Sequence, residues 1–200
     1  MKHFACLAFG LLTFSVAKAE FIHFVFHSPP GELIGNGVDR DIWYFPSTSN
    51  TFRPVIGGFN NDGVPNFVSL FAIPFGNSHD TVDAAFSTHR LGFPMTAGSY
   101  LDAERAAFAT QGHPGMDISF GGRGSNTITG SFVVNEVSYH HETSGWVLDS
   151  FDATFEQHSG GAPLALTGRI TYSSVPEPSS MLAIGAGLTV LSVRRRRKTV

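Results

Sequence analysis

The sequence predicts an all-β fold, a single antiparallel β-sandwich or flattened barrel, and three observations predict it. Nineteen phenylalanines and 22 glycines stand in a chain of 200 residues, a composition of strands and tight turns. Several segments alternate apolar and polar residues with period two, and none sustains a helical period. Clusters that tolerate positive φ cut the chain at intervals: Gly35-Asn36-Gly37, Asn61-Asp62-Gly63, Gly121-Gly122-Arg123-Gly124 and Ser159-Gly160-Gly161. Short strands so punctuated are those of a sandwich or barrel. No internal repeat has propeller or solenoid length.

The chain opens with Met1, Lys2 and His3, a short basic start, followed by an apolar run at residues 4–16. Ala17 and Ala19 flank Lys18 in the small-x-small pattern of signal-peptide cleavage, which places the cut after Ala19. The run is too short to span a bilayer. The single cysteine, Cys6, lies inside it, so residues 20–174 hold no thiol, disulfide or cysteine-based metal site. Export usually permits disulfides; this domain must hold together by its core.

Within residues 20–174 the strands follow in order. Ile22, Phe24 and Phe26 share one face, and His23, Val25 and His27 the other. Phe67, Phe71, Ile73 and Phe75 alternate with Val68, Leu70 and Ala72, apolar on both faces as in a central strand. Residues 97–110 are the best candidate for a short helical turn or loop. Residues 127–139 and 147–157 predict a hairpin that turns over residues 140–145. In its second strand Val147, Phe151, Ala153 and Phe155 face inward, and Ser150, Asp152, Thr154 and Glu156 outward. A final strand lines Leu164, Leu166, Gly168, Ile170 and Tyr172 along the core.

The last 26 residues, 175–200, are different. Pro176, Glu177 and Pro178 precede an apolar stretch at residues 181–193, closed by Arg194, Arg195, Arg196, Arg197 and Lys198. As a short hydrophobic helix the stretch covers about 20 Å, against a hydrocarbon core of about 30 Å. Snorkelling arginines and local thinning let such a segment lodge in the inner membrane transiently, with the basic cluster on the cytoplasmic side. These three parts in this order resemble the PEP-CTERM sorting signal. The resemblance implies recognition by an exosortase, a membrane-embedded cysteine transpeptidase-like enzyme, in an envelope with an outer membrane. It also implies an association with exopolysaccharide.

A second resemblance covers the middle region. Gly121-Gly122-Arg123-Gly124-Ser125-Asn126-Thr127-Ile128-Thr129-Gly130-Ser131-Phe132-Val133-Val134 is similar to a recurring block of uncharacterised secreted bacterial β-domains. So are Phe155-Glu156-Gln157-His158-Ser159-Gly160-Gly161-Ala162-Pro163-Leu164-Ala165-Leu166-Thr167-Gly168-Arg169-Ile170, Ser28-Pro29-Pro30-Gly31-Glu32-Leu33-Ile34-Gly35 and Ala97-Gly98-Ser99-Tyr100. Those relatives usually carry Cys where this chain has Ser125 and Ser159, which implies a disulfide lost here. The resemblance speaks for fold and export, not for a reaction.

Charge narrows the partners. Residues 20–174 carry fifteen Asp or Glu, six Arg and no Lys, a formal charge of −9 against −3 for the whole chain. Such a surface repels phosphate backbones, so nucleic acid is not an expected partner. Metal chemistry has little to build on. Asp152, Glu156 and His158 share a strand face, but same-face neighbours lie about 6.8 Å apart, so the face reads as solvated. Tyr139-His140-His141-Glu142 falls in the expected hairpin turn without a third ligand at zinc spacing. Asn60-Asn61-Asp62-Gly63 lacks the later acids of a calcium loop and reads as a turn. No cofactor or metal is therefore expected.

Nucleophile elbows, Walker loops and Rossmann fingerprints are missing from the sequence. Asp149, Asp152 and Glu156 lie on one strand, the wrong arrangement for flanking a sugar. The remaining lead is aromatic: Trp43 and Tyr44, with Phe45, and Trp146 sit at strand ends or turns, where exposed rings stack on sugar faces. The expectation is an exported envelope or extracellular-matrix protein, a non-enzymatic adhesion or exopolysaccharide-associated module. The alternative is a secreted glycan hydrolase, which two facing carboxylates in a cleft would favour.

Overall fold

The computed structural model describes residues 20–59 and 63–174; the expectations for the signal peptide, the Asn60-Asn61-Asp62 turn and the C-terminal tail lie outside them. Ten strands follow one another: β1 (Phe21–His27), β2 (Arg40–Tyr44), β3 (Ser49–Phe59), β4 (Pro65–Pro74) and β5 (Val82–Ser87), then β6 (Gly98–Arg105), β7 (Gly115–Phe120), β8 (Ile128–Glu142), β9 (Gly145–Ser159) and β10 (Ala165–Ser173). They make one sheet in the order β2-β1-β10-β9-β8-β6-β7-β5-β4-β3, nearly closed into a barrel. Among the described residues there is no α-helix. The all-β class stands, in its flattened-barrel form.

The core is aromatic, and it forms where the two halves of the curled sheet meet. Ile22, Phe24 and Phe26 of β1 are buried, as their alternation predicts. Across the interior Phe26 packs edge-on against Phe120 of β7, ring centroids 5.0 Å apart. Phe86 of β5 meets Phe132 of β8 at 5.1 Å and Phe151 of β9 at 5.3 Å. Offset and edge-to-face pairs of this kind add to simple area burial. Gly168 lets β10 into this packing: a Cβ there would lie 2.4 Å from the Val25 carbonyl oxygen and 2.8 Å from the Phe155 ring.

One pairing is not antiparallel. β6 runs parallel to β7 for only two residue pairs, Glu104 with Gly115 and Arg105 with Met116. Beyond it the backbone of Ile118 has no strand on that side. The buried Gln157 of β9 fills the gap: Ile118 N–H donates to Gln157 Oε1 at 2.8 Å, and Gln157 Nε2 donates to the Ile118 carbonyl at 2.9 Å. Its amide stands in for a missing strand and removes the cost of an orphaned peptide group.

Four expectations need correction. Residues 97–110 are largely strand β6, and a bulge between Tyr100 and Ala103 explains the miss. Both face the core, so inward positions fall three apart and imitate a helical period. The hairpin is longer than expected: β8 and β9 pair up to Glu142 and Gly145, which puts His140, His141 and Glu142 in the strand. A register shift between Ser138 and Tyr139 turns Leu148, in place of Val147, into the core. Leu164 precedes β10 and is exposed.

Candidate functional site

The outer face of β2, β1, β10, β9 and β8 brings together the residues that alternation turns away from the core. Trp43 is half exposed, at 50 %. It is held from three sides: His23 stacks on it at 3.9 Å and 10°, Phe21 tilts against it at 5.1 Å, and Phe45 lies parallel at 6.3 Å. His23 is oriented in turn by Asp41, Nε2 to Oδ1 2.8 Å. The result is a rigid apolar plate on an acidic protein. Tyr44, next in the chain, does not join it. Its ring is fully buried and its hydroxyl donates to the Asp80 carbonyl at 2.6 Å, so it offers no face to a sugar. Burial, with the Asp80 charge adding to it, pushes the Tyr44 phenol well above its ordinary range.

Trp146 lies elsewhere, at the start of β9. Its indole N–H donates to the Gly63 carbonyl at 2.8 Å, and its ring meets Tyr139 and His141 edge-on. That arrangement ties the hairpin tip to the turn before β4.

Beside the Trp43 plate on the same face lies a polar network. Asp152, with 9 % of its side chain exposed, accepts from Arg169 Nε and Nη2, both at 2.8 Å, from Thr171 Oγ1 at 2.7 Å and from Asn135 Nδ2 at 2.6 Å. Burial alone would raise this carboxyl; the Arg169, Thr171 and Asn135 hydrogen bonds outweigh it and hold Asp152 below the usual carboxylate range. Glu156 pairs with His158 at 3.1 Å and stays separate. His140 bridges Asp149 at 2.9 Å and Glu142 at 3.1 Å, and these bonds, Asp149 first, raise the imidazole above its ordinary value. Among the described residues no three His, Cys, Asp or Glu side chains gather as a metal site.

The opposite part of the sheet holds a cleft of about 550 Å³ that alternation alone does not reveal. Asp83 of β5 and Asp117 of β7 line it together with Arg105 at the end of β6. The register pairs Asp83 with Ser119 and Ala85 with Asp117, so the two carboxylates are diagonal neighbours on one face. Arg105 Nε donates to Asp117 at 2.9 Å, and its guanidinium lies 5.2 Å over the ring of Phe108, which is 68 % exposed. Burial, then the Asp117 charge, pushes Asp83 above the usual carboxylate range, against weaker help from Ser69 and Arg53. Sequence reasoning missed this pair because β5 and β7 are neighbours only after β6 is skipped.

Ala17, Ala19, Pro176, Glu177, Pro178 and the arginines at 194–197 lie outside the described residues. Among the described residues no helix is long and apolar enough to cross a membrane. The PEP-CTERM protein-sorting motif matches residues 174–197. No curated protein matches the chain, and no solved structure matches it. The chain thus carries a PEP-CTERM tail, which implies processing by an exosortase and an exported, envelope-associated protein.

Proposed function

We propose that this exosortase-processed envelope protein is a glycan-holding module, with Trp43 as the plate on which a sugar ring stacks. One observation carries the reading: a half-exposed indole fixed by Phe21, His23 and Phe45 on the outer face of the sheet. Such a plate, already desolvated on one side and locked in place, costs little to order when a ligand arrives. The signal peptide would deliver residues 20–174 outside the cytoplasmic membrane, and the tail would hold them in that membrane until the exosortase acts. The extracellular polysaccharide then becomes the partner that keeps the protein in the matrix.

Exopolysaccharide from the source organism, immobilised and incubated with the exported protein, is the direct test. Wild type is expected to be retained and Trp43→Ala to wash through while melting within about 1 kcal/mol of wild type. Equal retention of the two would overturn the stacking role. Replacing Arg194, Arg195, Arg196 and Arg197 with Ser tests the delivery step, with accumulation of unprocessed precursor as the expected outcome.

The cleft supports a second reading, hydrolysis of a glycan. Asp83 would give its proton to the glycosidic oxygen as the C–O bond breaks, and Asp117 would take a proton from the water that attacks the anomeric carbon. Release of reducing ends that is lost in Asp83→Asn and in Asp117→Asn supports it. A wild-type protein that releases none from its own exopolysaccharide sinks it.

A further inference from the structure

We infer that the Trp43 plate is one end of a binding track that runs across five strands and takes a single chain of a neutral polysaccharide. The inference rests on the glycan-holding reading and extends it to a substrate class and to residues outside the aromatic cluster. Sheet register supplies the track. Trp43 of β2 pairs with His23 of β1, His23 with Thr171 of β10, Thr171 with Asp152 of β9, and Asp152 with Glu136 of β8. Directly paired residues point to the same face, so these five form a row perpendicular to the strands. Five strands at about 4.8 Å span about 19 Å, room for about four pyranose rings at one ring per spacing.

A second row runs alongside: Asp41, Val25, Arg169, Thr154 and Val133. Arg169 is where the two rows meet chemically. Asp152 fixes its guanidinium from below, yet 60 % of the Arg169 side chain stays exposed. A planar fork held in this way donates to vicinal hydroxyls without a large ordering cost. Recesses flank it on either side, one of about 590 Å³ between Asp41, His27 and Thr167, the other of about 300 Å³ between Asn135, Ser150 and Thr171. Together the two rows offer an apolar plate, threonine hydroxyls and a guanidinium fork, which is the recognition chemistry of a polyhydroxylated chain.

Charge selects within that class. Glu136 ends the first row and Asp41 the second, and the 20–174 region carries −9. Arg169 is the one arginine in the two rows, and Asp152 already neutralises it. A uronic-acid or sulfated polymer would meet net repulsion along the track, whereas a neutral one would not.

Calorimetric titration of the full chain with neutral β-glucan oligosaccharides, from disaccharide to hexasaccharide, and with alginate oligomers of matched length tests the track. Affinity is expected to rise with each ring up to the tetrasaccharide and to stay level beyond it, and alginate is expected to bind at least tenfold more weakly. Trp43→Ala should lose every length. Arg169→Lys, which keeps the charge but not the fork, should lose about tenfold on the tetrasaccharide and leave the disaccharide unchanged; a melt alongside confirms that it folds. Trp43-dependent binding that is already level at the disaccharide would overturn the track and leave the stacking reading standing. Alginate binding as tight as the glucan would overturn the neutral class. Binding to none of the oligosaccharides would remove both the track and the reading beneath it.

Discussion

The outer face around Trp43 and the cleft around Asp83 use the same residue types in opposite ways. On the outer face each acid has a partner: Asp41 holds His23, and Asp152 is satisfied by three side chains. The exposed group there is an apolar ring. In the cleft Phe108 lies under the Arg105 guanidinium, while Asp83 lies diagonal to a second carboxylate and is pushed toward its protonated form. A face whose charges are already matched is suited to hold a ligand. A cleft whose charge is mismatched is suited to move a proton, or else costs stability for no gain. Three pairs of substitutions break this contrast or sharpen it.

The largest effect is expected at the rim of the cleft, where Ser125 lies. Its Oγ accepts from the Gly160 N–H at 3.1 Å, which puts the side chain beside the residue that follows Ser159. Both serines are buried. The double variant Ser125→Cys, Ser159→Cys should therefore oxidise after export, which is also what the resemblance of the middle region implies. Closing that loop adds about 3–4 kcal/mol on the chain-entropy model, less any strain. Non-reducing mass spectrometry and melts with and without reductant measure both halves. Two free thiols in folded protein would show that the rim is not closed where the Gly160 contact places it.

Next in size is the contrast between two aspartates. The Asp152 carboxyl is held low, so it contributes stability above its unfolded value near 3.8, and that contribution is lost as pH falls through its lower folded value. Asp83 is raised, so the sign reverses: it costs stability as pH rises above 3.8, in full once the pH passes its folded value. At neutral pH, Asp152→Ala leaves the Asn135 and Thr171 donors without their acceptor, while the exposed Arg169 turns to water, and should cost about 2 kcal/mol, with the gap closing in acid. Asp83→Asn should raise the melting temperature at neutral pH and lose that advantage in acid. Should Asp83→Asn destabilise instead, the cleft is a structural ion-pair site and its proton chemistry is lost as a reading.

Legibility in the sequence followed the range of the interactions. Strands with clean alternation were readable: Ile22, Phe24 and Phe26 in β1, and Phe151, Ala153 and Phe155 in β9. Strands β2, β3, β5 and β7 were not read as elements, and β5 carries the reason in its sequence: Val82, Ala84 and Phe86 are inward, but Ala85 between them blurs the period. The bulge in β6 hid that strand outright. Every feature that depends on non-consecutive pairing was out of reach, including the Asp83–Asp117 diagonal and the Gln157 bridge to Ile118. Tyr44 was misplaced for a different cause: alternation in so short a strand does not say which face is core until β4 and the Asp80 turn meet it.

The smallest effect separates the two serines themselves. Ser125 Oγ is fully used: it donates to the Thr127 carbonyl at 2.6 Å and accepts from the Thr127 and Gly160 amides at 3.3 and 3.1 Å. Ser159 Oγ is buried with no hydrogen-bond partner. A hydroxyl that gives up water for nothing carries a desolvation cost, whereas one that caps two amides prevents it. Ser125→Ala should then destabilise by about 1–2 kcal/mol, and Ser159→Ala should stabilise by up to about 1 kcal/mol. Urea midpoints at unchanged m give the two numbers on one scale. Equal losses at both positions would mean that Ser159 Oγ is satisfied in the folded protein and that the two serines are equivalent. Opposite signs would show that the site accepts a less polar group at 159 at no cost, which is the condition the double cysteine variant needs to close without first unfolding the rim.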